Sequence, residues 1–167
     1  GSSVDGHTIG DITADFINNS TVATSATYGA IANNISDGNP DYTNTIGNVT
    51  GDFVKNSISS TGTSIVTGSA IFNRNSAYST NTSESRASFE KVEGNFVANS
   101  TKATNTGAGA TTGAIANIRN CQDAVNKLIN IARIKGITGR FVKNTIASKN
   151  GKAYGGAIYN TGDISVT

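Results

Sequence analysis

The chain has 167 residues and a formal net charge of +2, and 36% of its residues are hydrophobic, 7% aromatic and 14% charged. Disordered chains usually combine low hydrophobicity with high net charge, so the recurring Ile, Val and Phe of this chain favour one ordered, repetitive domain. The single Cys excludes an internal disulfide framework.

Residues 1–8 are interpreted as an overhang before the repeat, and Gly1-Ser2-Ser3 resembles the remnant of an expression tag. His7 lies in this overhang, and without a second His it predicts neither a metal site nor a catalytic triad. The sequence contains no signal peptide and no apolar run long enough to span a bilayer. We therefore expect the chain to be a fragment of a longer protein.

Each repeat begins with two apolar residues three positions apart, and the first of them lies seven residues before a Phe. These pairs are Ile9 and Ile12, Ile46 and Val49, Phe89 and Val92, and Ile134 and Ile137. From Ile12 through Ala14 to Phe16, large or small residues alternate with polar ones, which predicts a half-buried strand. We expect the intervening side chains to point to solvent, namely Thr13, Asp15, Thr50, Asp52, Thr138 and Arg140.

The second landmark of each repeat is Phe-x-x-Asn. It occurs as Phe16 and Asn19, Phe53 and Asn56, Phe96 and Asn99, and Phe141 and Asn144. Residues three apart on a strand have opposite parity, so both can face inward only if the chain bends between them. Inward Asn side chains predict a stacked amide ladder, in which each copy bonds the next.

The third landmark is Ala-Ile-x-Asn, preceded directly by Gly in three copies and by Gly68 with Ser69 between in the second copy. It occurs at residues 30–33, 70–73, 114–117 and 157–160. Fixed motifs with variable joints are typical of a solenoid, because stacked strands cannot shift register whereas loops accept insertions. We predict an all-β, right-handed parallel β-helix over residues 9–167, with copies at about 9–45, 46–88, 89–133 and 134–167. The sequence leaves open one coil or two per copy, although Gly162-Asp163-Ile164, so similar to Gly10-Asp11-Ile12, favours one.

Two segments between the motifs have other features. Residues 37–41 contain alternating oxygen ligands, but they lack the remaining EF-hand residues and predict a plain turn. From Cys121 to Ala132, apolar residues fall at helical spacing, which predicts a short inserted amphipathic helix. Cys121 has no CxxC partner and is interpreted as an inert thiol.

The Phe-x-x-Asn motifs and the sequence Gly155-Gly156-Ala157-Ile158 resemble the repeats of the chlamydial polymorphic membrane proteins and related autotransporter adhesins. The resemblance covers essentially the whole chain. It implies a passenger domain on the bacterial surface, or secreted, that adheres to host cells and reaches the membrane only through a C-terminal outer-membrane barrel absent from this chain. The departures are that only the last copy has the double glycine, and that Cys is scarcer than in chlamydial members.

An enzymatic function is not predicted. β-Helical polysaccharide lyases and hydrolases combine several carboxylates on one face, whereas the position before the repeated Phe is occupied by Asp15, Asp52, Asn95 and Arg140. We therefore expect no catalytic residue, no metal and no cofactor.

Charge is unevenly distributed along the chain. Residues 1–118 contain five Lys or Arg and nine Asp or Glu, a net of −4, while residues 119–167 contain eight and two, a net of +6. A basic end could attract acidic glycans or an anionic surface. Aromatic residues are not interleaved with these charges, so nucleic acid is not an expected partner.

We therefore expect a non-catalytic adhesin that binds a host-cell receptor, matrix or glycan through its Ser/Thr-rich loops. These loops are predicted at residues 35–45, 57–67, 75–88 and 100–112. The alternatives are a structural stalk, a self-association module with open sheet edges, and a polysaccharide-active enzyme.

Overall fold

A computed structural model describes residues 6–24, 29–35, 43–63, 66–76, 85–105, 109–119, 130–149 and 151–166. All secondary structure in these ranges is β, and every strand pairing is parallel. The prediction of an all-β chain of stacked parallel strands is confirmed. Within the same ranges there is no helix long and apolar enough to cross a membrane.

The strands form five sheets, numbered in the order in which the chain visits them. Sheet 1 has the longest strands: β1 (His7–Ile9), β2 (Ile12–Thr13), β6 (Thr43–Thr50), β11 (Ser85–Glu93), β16 (Asn130–Thr138) and β21 (Asp163–Val166). Sheet 2 contains β3 (Phe16–Ile17), β7 (Phe53–Val54), β12 (Phe96–Val97) and β17 (Phe141–Val142).

The other three sheets contain the remaining strands of the described residues. Sheet 3 contains β4 (Ser20–Ala23), β8 (Ser57–Ser60), β13 (Ser100–Ala103) and β18 (Thr145–Ser148). Sheet 4 contains β9 (Val66–Thr67), β14 (Ala110–Thr111) and β19 (Ala153–Tyr154). Sheet 5 contains β5 (Ile31–Ile35), β10 (Ile71–Asn75), β15 (Ile115–Arg119) and β20 (Ile158–Asn160).

Each copy of the repeat forms one layer of the stack, which we call a rung. Neighbouring strands in every sheet come from consecutive copies, and the Phe and Ile landmarks pair with their equivalents. One copy therefore forms one layer of strands and not two, which answers the question that the sequence left open. Rungs 1 to 4 begin at β1, β6, β11 and β16, and β21 begins a fifth.

The alignment of the last segment differs from the one that the sequence suggested. Ile164 pairs with Ile134, and so is equivalent to Ile9, while Val166 pairs with Ile137 and is equivalent to Ile12. The two apolar residues of β21 are thus two positions apart instead of three, and the register of the β16–β21 pair shifts between them.

The core is a set of apolar columns that run through the rungs. Stacked rings of the four repeated Phe residues form one column, with centroid distances of 5.0, 4.9 and 4.7 Å between successive rungs. Phe53 and Phe96 of the middle rungs are fully buried, whereas Phe16 and Phe141 are half-buried. Ile, Val and Ala landmarks, together with Phe89, form the adjacent columns: Ile31, Ile46, Val49, Ala70, Ile71, Phe89, Val92, Ala114, Ile115, Ile134 and Ile137.

The predicted single strand from the apolar pair to the Phe is wrong, because the chain turns at the small residue between them. Gly51, Gly94 and Gly139 have φ values of +151°, +154° and +147°, and they separate sheet 1 from sheet 2. A Cβ on Gly94 would lie 1.8 Å from the carbonyl oxygen of Gly51 in the rung below. The small residue therefore allows close approach of two backbones; it does not fill an inward position of a strand.

The expected bend between Phe and Asn lies at the residue before each Asn. Asn18, Lys55, Ala98 and Lys143 have φ values of 57°, 55°, 54° and 53°, in the left-handed region. This residue separates sheet 2 from sheet 3 and reverses the parity of the chain. As a result both Phe53 and Asn56 point inward, and both are fully buried.

The predicted inserted helix is wrong for its last residues, since residues 130–132 belong to β16. Ala132 pairs with Ala87 and is fully buried, so strand pairing outweighs the local helical spacing. Residues 121–129, including Cys121, lie outside the described residues, as do residues 37–41 of the turn considered as a calcium site.

Candidate functional site

The repeated Asn residues of Phe-x-x-Asn form a ladder inside the stack. Asn56 donates to Asn99 Oδ1 from its backbone nitrogen and from Nδ2, both at 3.0 Å, and Asn99 donates to Asn144 Oδ1 in the same way. Asn19 makes the equivalent bonds to Asn56. Nδ2 of Asn56, Asn99 and Asn144 also donates to the Phe carbonyl one rung below, for example from Asn99 to Phe53 at 2.9 Å. These Asn side chains are engaged with the scaffold.

A second ladder joins sheet 5 to sheet 1. Asn73 Nδ2 donates to Asn117 Oδ1 at 2.8 Å and to the carbonyls of Ala87 and Arg133 at 3.0 and 3.2 Å. Asn117 Nδ2 bonds to Asn160 Oδ1 at 2.8 Å, and to carbonyls of sheet 1 as well. The Asn of Ala-Ile-x-Asn therefore fastens the end of each rung to the start of the next.

Gly155 of the double glycine is at the corner between sheets 4 and 5, with φ +67°. The equivalent residues are Gly68, with φ +64°, and Thr112, with φ 58°. Gly156 is exposed and has no atom within 4 Å of an added Cβ. Ala157 and Ile158 continue the core columns, since Ile158 pairs with Ile115 and Ala157 accepts the Ile115 amide at 3.0 Å. Only the first glycine of the motif is in a backbone conformation that favours Gly, and Thr112 adopts the same conformation in rung 3.

The carboxylates before the repeated Phe hold neighbouring rungs together. Asp15 accepts the Asp52 amide at 2.9 Å, and Asp52 accepts the Asn95 amide at 2.8 Å and Asn95 Nδ2 at 3.0 Å. Asp11 accepts the backbone amide and Nδ2 of Asn48 at 2.8 and 3.1 Å, and these hydrogen bonds lower the pKa of its carboxyl. Among the residues that the structure describes, no three His, Cys, Asp or Glu could hold a metal ion together.

Two of the predicted Ser/Thr-rich loops are wrong, because much of each is strand. Residues 57–60 and 100–103 form β8 and β13 of sheet 3, and residues 66–67 and 110–111 form β9 and β14 of sheet 4. Alternate residues of β8 and β13 point inward and are buried: Ile58, Ser60, Thr101 and Ala103. Small and hydroxylated side chains fit the narrow interior at this side, so polarity alone is a poor sign of a loop here.

Large length differences between copies occur at the corner where sheet 5 passes to sheet 1. In rung 4, two residues, 161–162, lie between Asn160 and Asp163. The equivalent segments of rungs 1, 2 and 3 are residues 34–44, 74–87 and 118–132, or 11, 14 and 15 residues. Strands of adjacent rungs are about 4.8 Å apart, so the described ends of the three insertions lie side by side at one corner.

The described parts of these insertions extend sheets 5 and 1 beyond the core, and we call them the flange. The flange consists of residues 34–35, 43–44, 74–76, 85–87, 118–119 and 130–132. Its strands keep the parallel register, with Asn75 opposite Ile35 and Arg119, and Ala87 opposite Asn44 and Ala132. The flange is therefore an ordered extension of the stack.

The base of the insertion in rung 2 is closed by its own hydrogen bonds. Asn75 Nδ2 donates to Ser85 Oγ at 2.8 Å and to the Ser85 carbonyl at 2.9 Å. Ser76 donates to the Ile35 carbonyl from its amide and its hydroxyl, at 3.0 and 3.1 Å. Ile35 and Ala87 form a small buried cluster, separate from the main core. The two ends of the rung 2 insertion are thus bonded to each other and to rung 1.

Sequence reasoning missed the flange, although its signal was in the chain. Comparison of the short last copy with the other three would have marked residues 34–44, 74–87 and 118–132 as extra length. The predicted loops at 35–45 and 75–88 overlap two of these segments, but the pairing of their ends was not expected.

The outward charges differ between the sides of the stack. On sheet 1, cations are paired with acids: Lys91 with Glu93 at 2.8 Å, Lys135 with Glu90 at 2.6 Å, and Arg133 with Asp163 at 3.2 Å. On sheets 2 to 4 of rungs 3 and 4, five exposed cations form what we call the basic strip: Lys102, Arg140, Lys143, Lys149 and Lys152.

Comparison of the chain with protein-family models, curated proteins and solved structures finds no match. The resemblance to autotransporter passenger repeats remains an expectation from the motifs of the sequence.

Proposed function

We propose that the chain is a non-catalytic adhesin segment of a bacterial surface protein. In this proposal the stacked rungs form a right-handed parallel β-helix, exported as an autotransporter passenger. The flange and the insertions that it carries bind a host-cell receptor or matrix component. The scaffold holds the described ends of the insertions of three consecutive rungs next to one another, in parallel register.

The observation that carries this proposal is the separation of constant from variable residues. The Phe and Asn landmarks are internal and bonded to one another, as in the Asn56–Asn99 and Phe53–Phe96 pairs. Length varies chiefly at the flange corner, from 2 residues in rung 4 to 15 in rung 3. A rigid scaffold with insertions at one edge is the usual arrangement for recognition by repeat proteins.

Rung 4 supplies the design of the test. In the flange-trimmed variant, residues 34–44, 74–87 and 118–132 are each replaced by Thr-Gly, the connection that rung 4 uses. That connection is self-contained, since Asn160 and Gly162 bond each other at 3.0 and 3.1 Å. The replacements leave the Phe column and the ladder of Asn19, Asn56, Asn99 and Asn144 unchanged.

Binding of the intact and trimmed chains to cultured epithelial cells is measured by flow cytometry. We expect the intact chain to bind and the trimmed chain to lose about tenfold or more in affinity, with its cooperative unfolding retained. Equal binding by the two chains would place recognition elsewhere, and no binding by the intact chain would contradict the adhesin proposal.

A stalk is the second candidate, and the unbroken ladders favour it. Asn19, Asn56, Asn99 and Asn144 connect all four rungs without interruption, as a stiff spacer requires. A parent protein in which this segment is replaced by an unrelated repeat of equal length distinguishes the two. A stalk predicts unchanged adhesion, whereas an adhesin segment predicts its loss.

A further inference from the structure

The basic strip carries a charge gradient that follows the axis of the stack. Over sheets 2 to 4, rung 1 (residues 15–24) contains Asp15 alone, a net of −1, and rung 2 (52–67) contains Asp52 and Lys55, a net of 0. Rung 3 (95–111) contains Lys102, a net of +1. Rung 4 (140–154) contains one Arg and three Lys with no acid, a net of +4.

The strand register places four cations of the strip along sheets 2 to 4 of rung 4. Arg140 occupies the position of Asp15 and Asp52, directly before sheet 2, and Lys143 is at the corner between sheets 2 and 3. Lys149 follows β18 of sheet 3, and Lys152 precedes β19 of sheet 4. All four side chains are exposed.

These cations have no ion-pair partner among the described residues, in contrast to Lys91, Arg133 and Lys135 on sheet 1. The part of rung 4 that contains them has no Asp or Glu in its sequence, from residue 139 to residue 162. Unpaired cations repel one another at low salt. Their concentration on one rung is therefore a cost to the free protein that a bound anion would relieve.

A groove between rungs 3 and 4 gives the strip a place to hold a ligand. It has a volume of about 310 Å³ and is lined by Lys102, Ala103, Thr104, Ala147, Ser148 and Lys149. The groove has a lysine on each rung, while Thr104 Oγ1 donates to the Ser60 carbonyl and Ser148 Oγ accepts the Gly151 amide. The two lysine ammonium groups suit an anionic ligand, because each can donate charge-assisted hydrogen bonds to it.

An exposed aromatic ring continues the strip. Tyr154 follows Lys152 by two residues, is 46% exposed, and lies 6.1 Å from the ring of Tyr159. A tyrosine combines an apolar face with a polar tip, and such a face can pack against the C–H side of a sugar ring.

The spacing of the charges decides between polyanions. Lys143 and Lys149 are six residues apart across a strand of sheet 3, a distance of up to about 20 Å at about 3.3 Å per residue. Double-stranded DNA carries a charge every ~1.7 Å, far more densely than this strip. A polymer with one charge on every sugar or every second sugar matches the strip better.

From these observations we infer that the basic strip binds an acidic polysaccharide, sulfated or uronic. Single exposed lysines contribute little each, and their fields are screened beyond about 8 Å at physiological salt. A polymer engages several of them at once, so its second and later contacts form at high effective concentration. The strip is distinct from the flange, and its test requires no cells.

The experiment compares two triple variants of the whole chain that differ only in where the same change is made. In the strip variant, Lys143→Gln, Lys149→Gln and Lys152→Gln are combined. In the matched control, Lys55→Gln, Lys91→Gln and Lys135→Gln remove the same charge from rung 2 and from sheet 1. All six lysines are exposed, and the two exposed ion pairs that the control breaks, Lys91–Glu93 and Lys135–Glu90, contribute little to stability, so the unfolding midpoints should change little.

Binding is measured to chondroitin sulfate, polygalacturonate, neutral dextran and a double-stranded DNA 20-mer over a series of NaCl concentrations. We expect the unaltered chain to bind chondroitin sulfate or polygalacturonate and not dextran, and the strip variant to lose about tenfold in affinity while the control stays within about twofold. Because three of the five cations are removed, the dependence of log K on log salt should become shallower by about three-fifths.

Equal losses of affinity in the two triple variants would show that net charge alone causes the effect, and would overturn the inference. So would the absence of binding to both acidic polysaccharides. Tighter binding to DNA than to either polysaccharide at equal charge concentration would assign the strip to nucleic acid instead.

Discussion

The contribution of the Phe-x-x-Asn ladder to stability can be measured at Asn99. Its side chain makes four hydrogen bonds: it accepts the amide and Nδ2 of Asn56, and it donates to the carbonyl of Phe53 and to Asn144 Oδ1. It is fully buried. Asn99→Ala removes all four bonds without disturbing the surface.

The cost can be worked out from the groups left behind. Asn56 Nδ2 keeps its bond to the Phe16 carbonyl, and Asn144 Oδ1 keeps the Asn99 amide. The buried backbone amide of Asn56 loses its acceptor, Asn99 Oδ1, and leaving this donor unsatisfied costs about 1–3 kcal/mol. The other three lost hydrogen bonds are worth about 0.5–1.5 kcal/mol each. Since such terms are not additive, we expect a loss of about 3–5 kcal/mol in the free energy of unfolding.

Asn19→Ala is the matched control, because Asn19 belongs to the same ladder but is exposed in rung 1. Its amide bond to Asn56 survives the change, and only the Nδ2 bond at 2.8 Å is lost. We expect a loss of about 0.5–1.5 kcal/mol. Urea unfolding followed by circular dichroism measures both variants. Similar losses, or a loss below about 1 kcal/mol for Asn99→Ala, would refute the ladder as a source of stability.

Three further predictions concern single positions. Thr101 is 1% exposed and its hydroxyl has no hydrogen-bond partner among the described residues, so Thr101→Val should stabilise the chain by about 1 kcal/mol, and a lower thermal midpoint would contradict this. Gly94→Ala should cost roughly 3 kcal/mol or more, because its Cβ would meet a backbone carbonyl at 1.8 Å. Gly10→Ala, with open space around it, should be nearly neutral, and the midpoints of urea unfolding of the two variants measure the difference. Hydrogen bonds from Asn48 lower the folded-state pKa of Asp11 below 3.8. The ionised Asp11 therefore stabilises the folded chain above pH 3.8, and this stabilisation is lost as the pH falls through the folded-state pKa. Asp11→Asn should therefore flatten the acid limb of stability against pH, and an unchanged acid limb would count against the Asp11–Asn48 bond.

The sequence predicted the interior of the scaffold well because its constraints are local and repeated. Phe and Asn recur at a fixed separation, and a left-handed residue at positions such as Lys55 lets both face inward. Parity alone required that bend. The Asn ladder then followed from the need of a buried amide for partners.

The errors have a common origin in pairing between distant residues. Ala132 lies at helical spacing with its neighbours, but it is buried in a strand because Ala87, one rung earlier, pairs with it. Ser57–Ser60 has the composition of a loop, yet it pairs with Ser100–Ala103 and with Ser20–Ala23. Such pairing depends on the register of the whole stack, which no window of local sequence contains.

The candidate site was predicted less well than the scaffold. Loops were expected over four Ser/Thr-rich segments, whereas the extra length is concentrated at the flange corner. The position of an insertion in a rung depends on which residues pair across rungs, such as Asn160 with Asn117 and Asp163 with Arg133. Charge was read correctly as asymmetric along the chain, but its grouping on sheets 2 to 4 required the topology.

The claim that one repeat forms one rung can be tested directly by a disulfide between equivalent residues. Ser20 and Ser57 pair across rungs 1 and 2, and their hydroxyls are 3.1 Å apart. In a Cys121→Ser background, Ser20→Cys with Ser57→Cys should oxidise readily, because paired strands lie about 4.8 Å apart, within the reach of a disulfide. Ser20→Cys with Ser59→Cys, two residues out of register, should remain reduced. Efficient oxidation of the second pair, or failure of the first, would contradict the stacking of one repeat per rung.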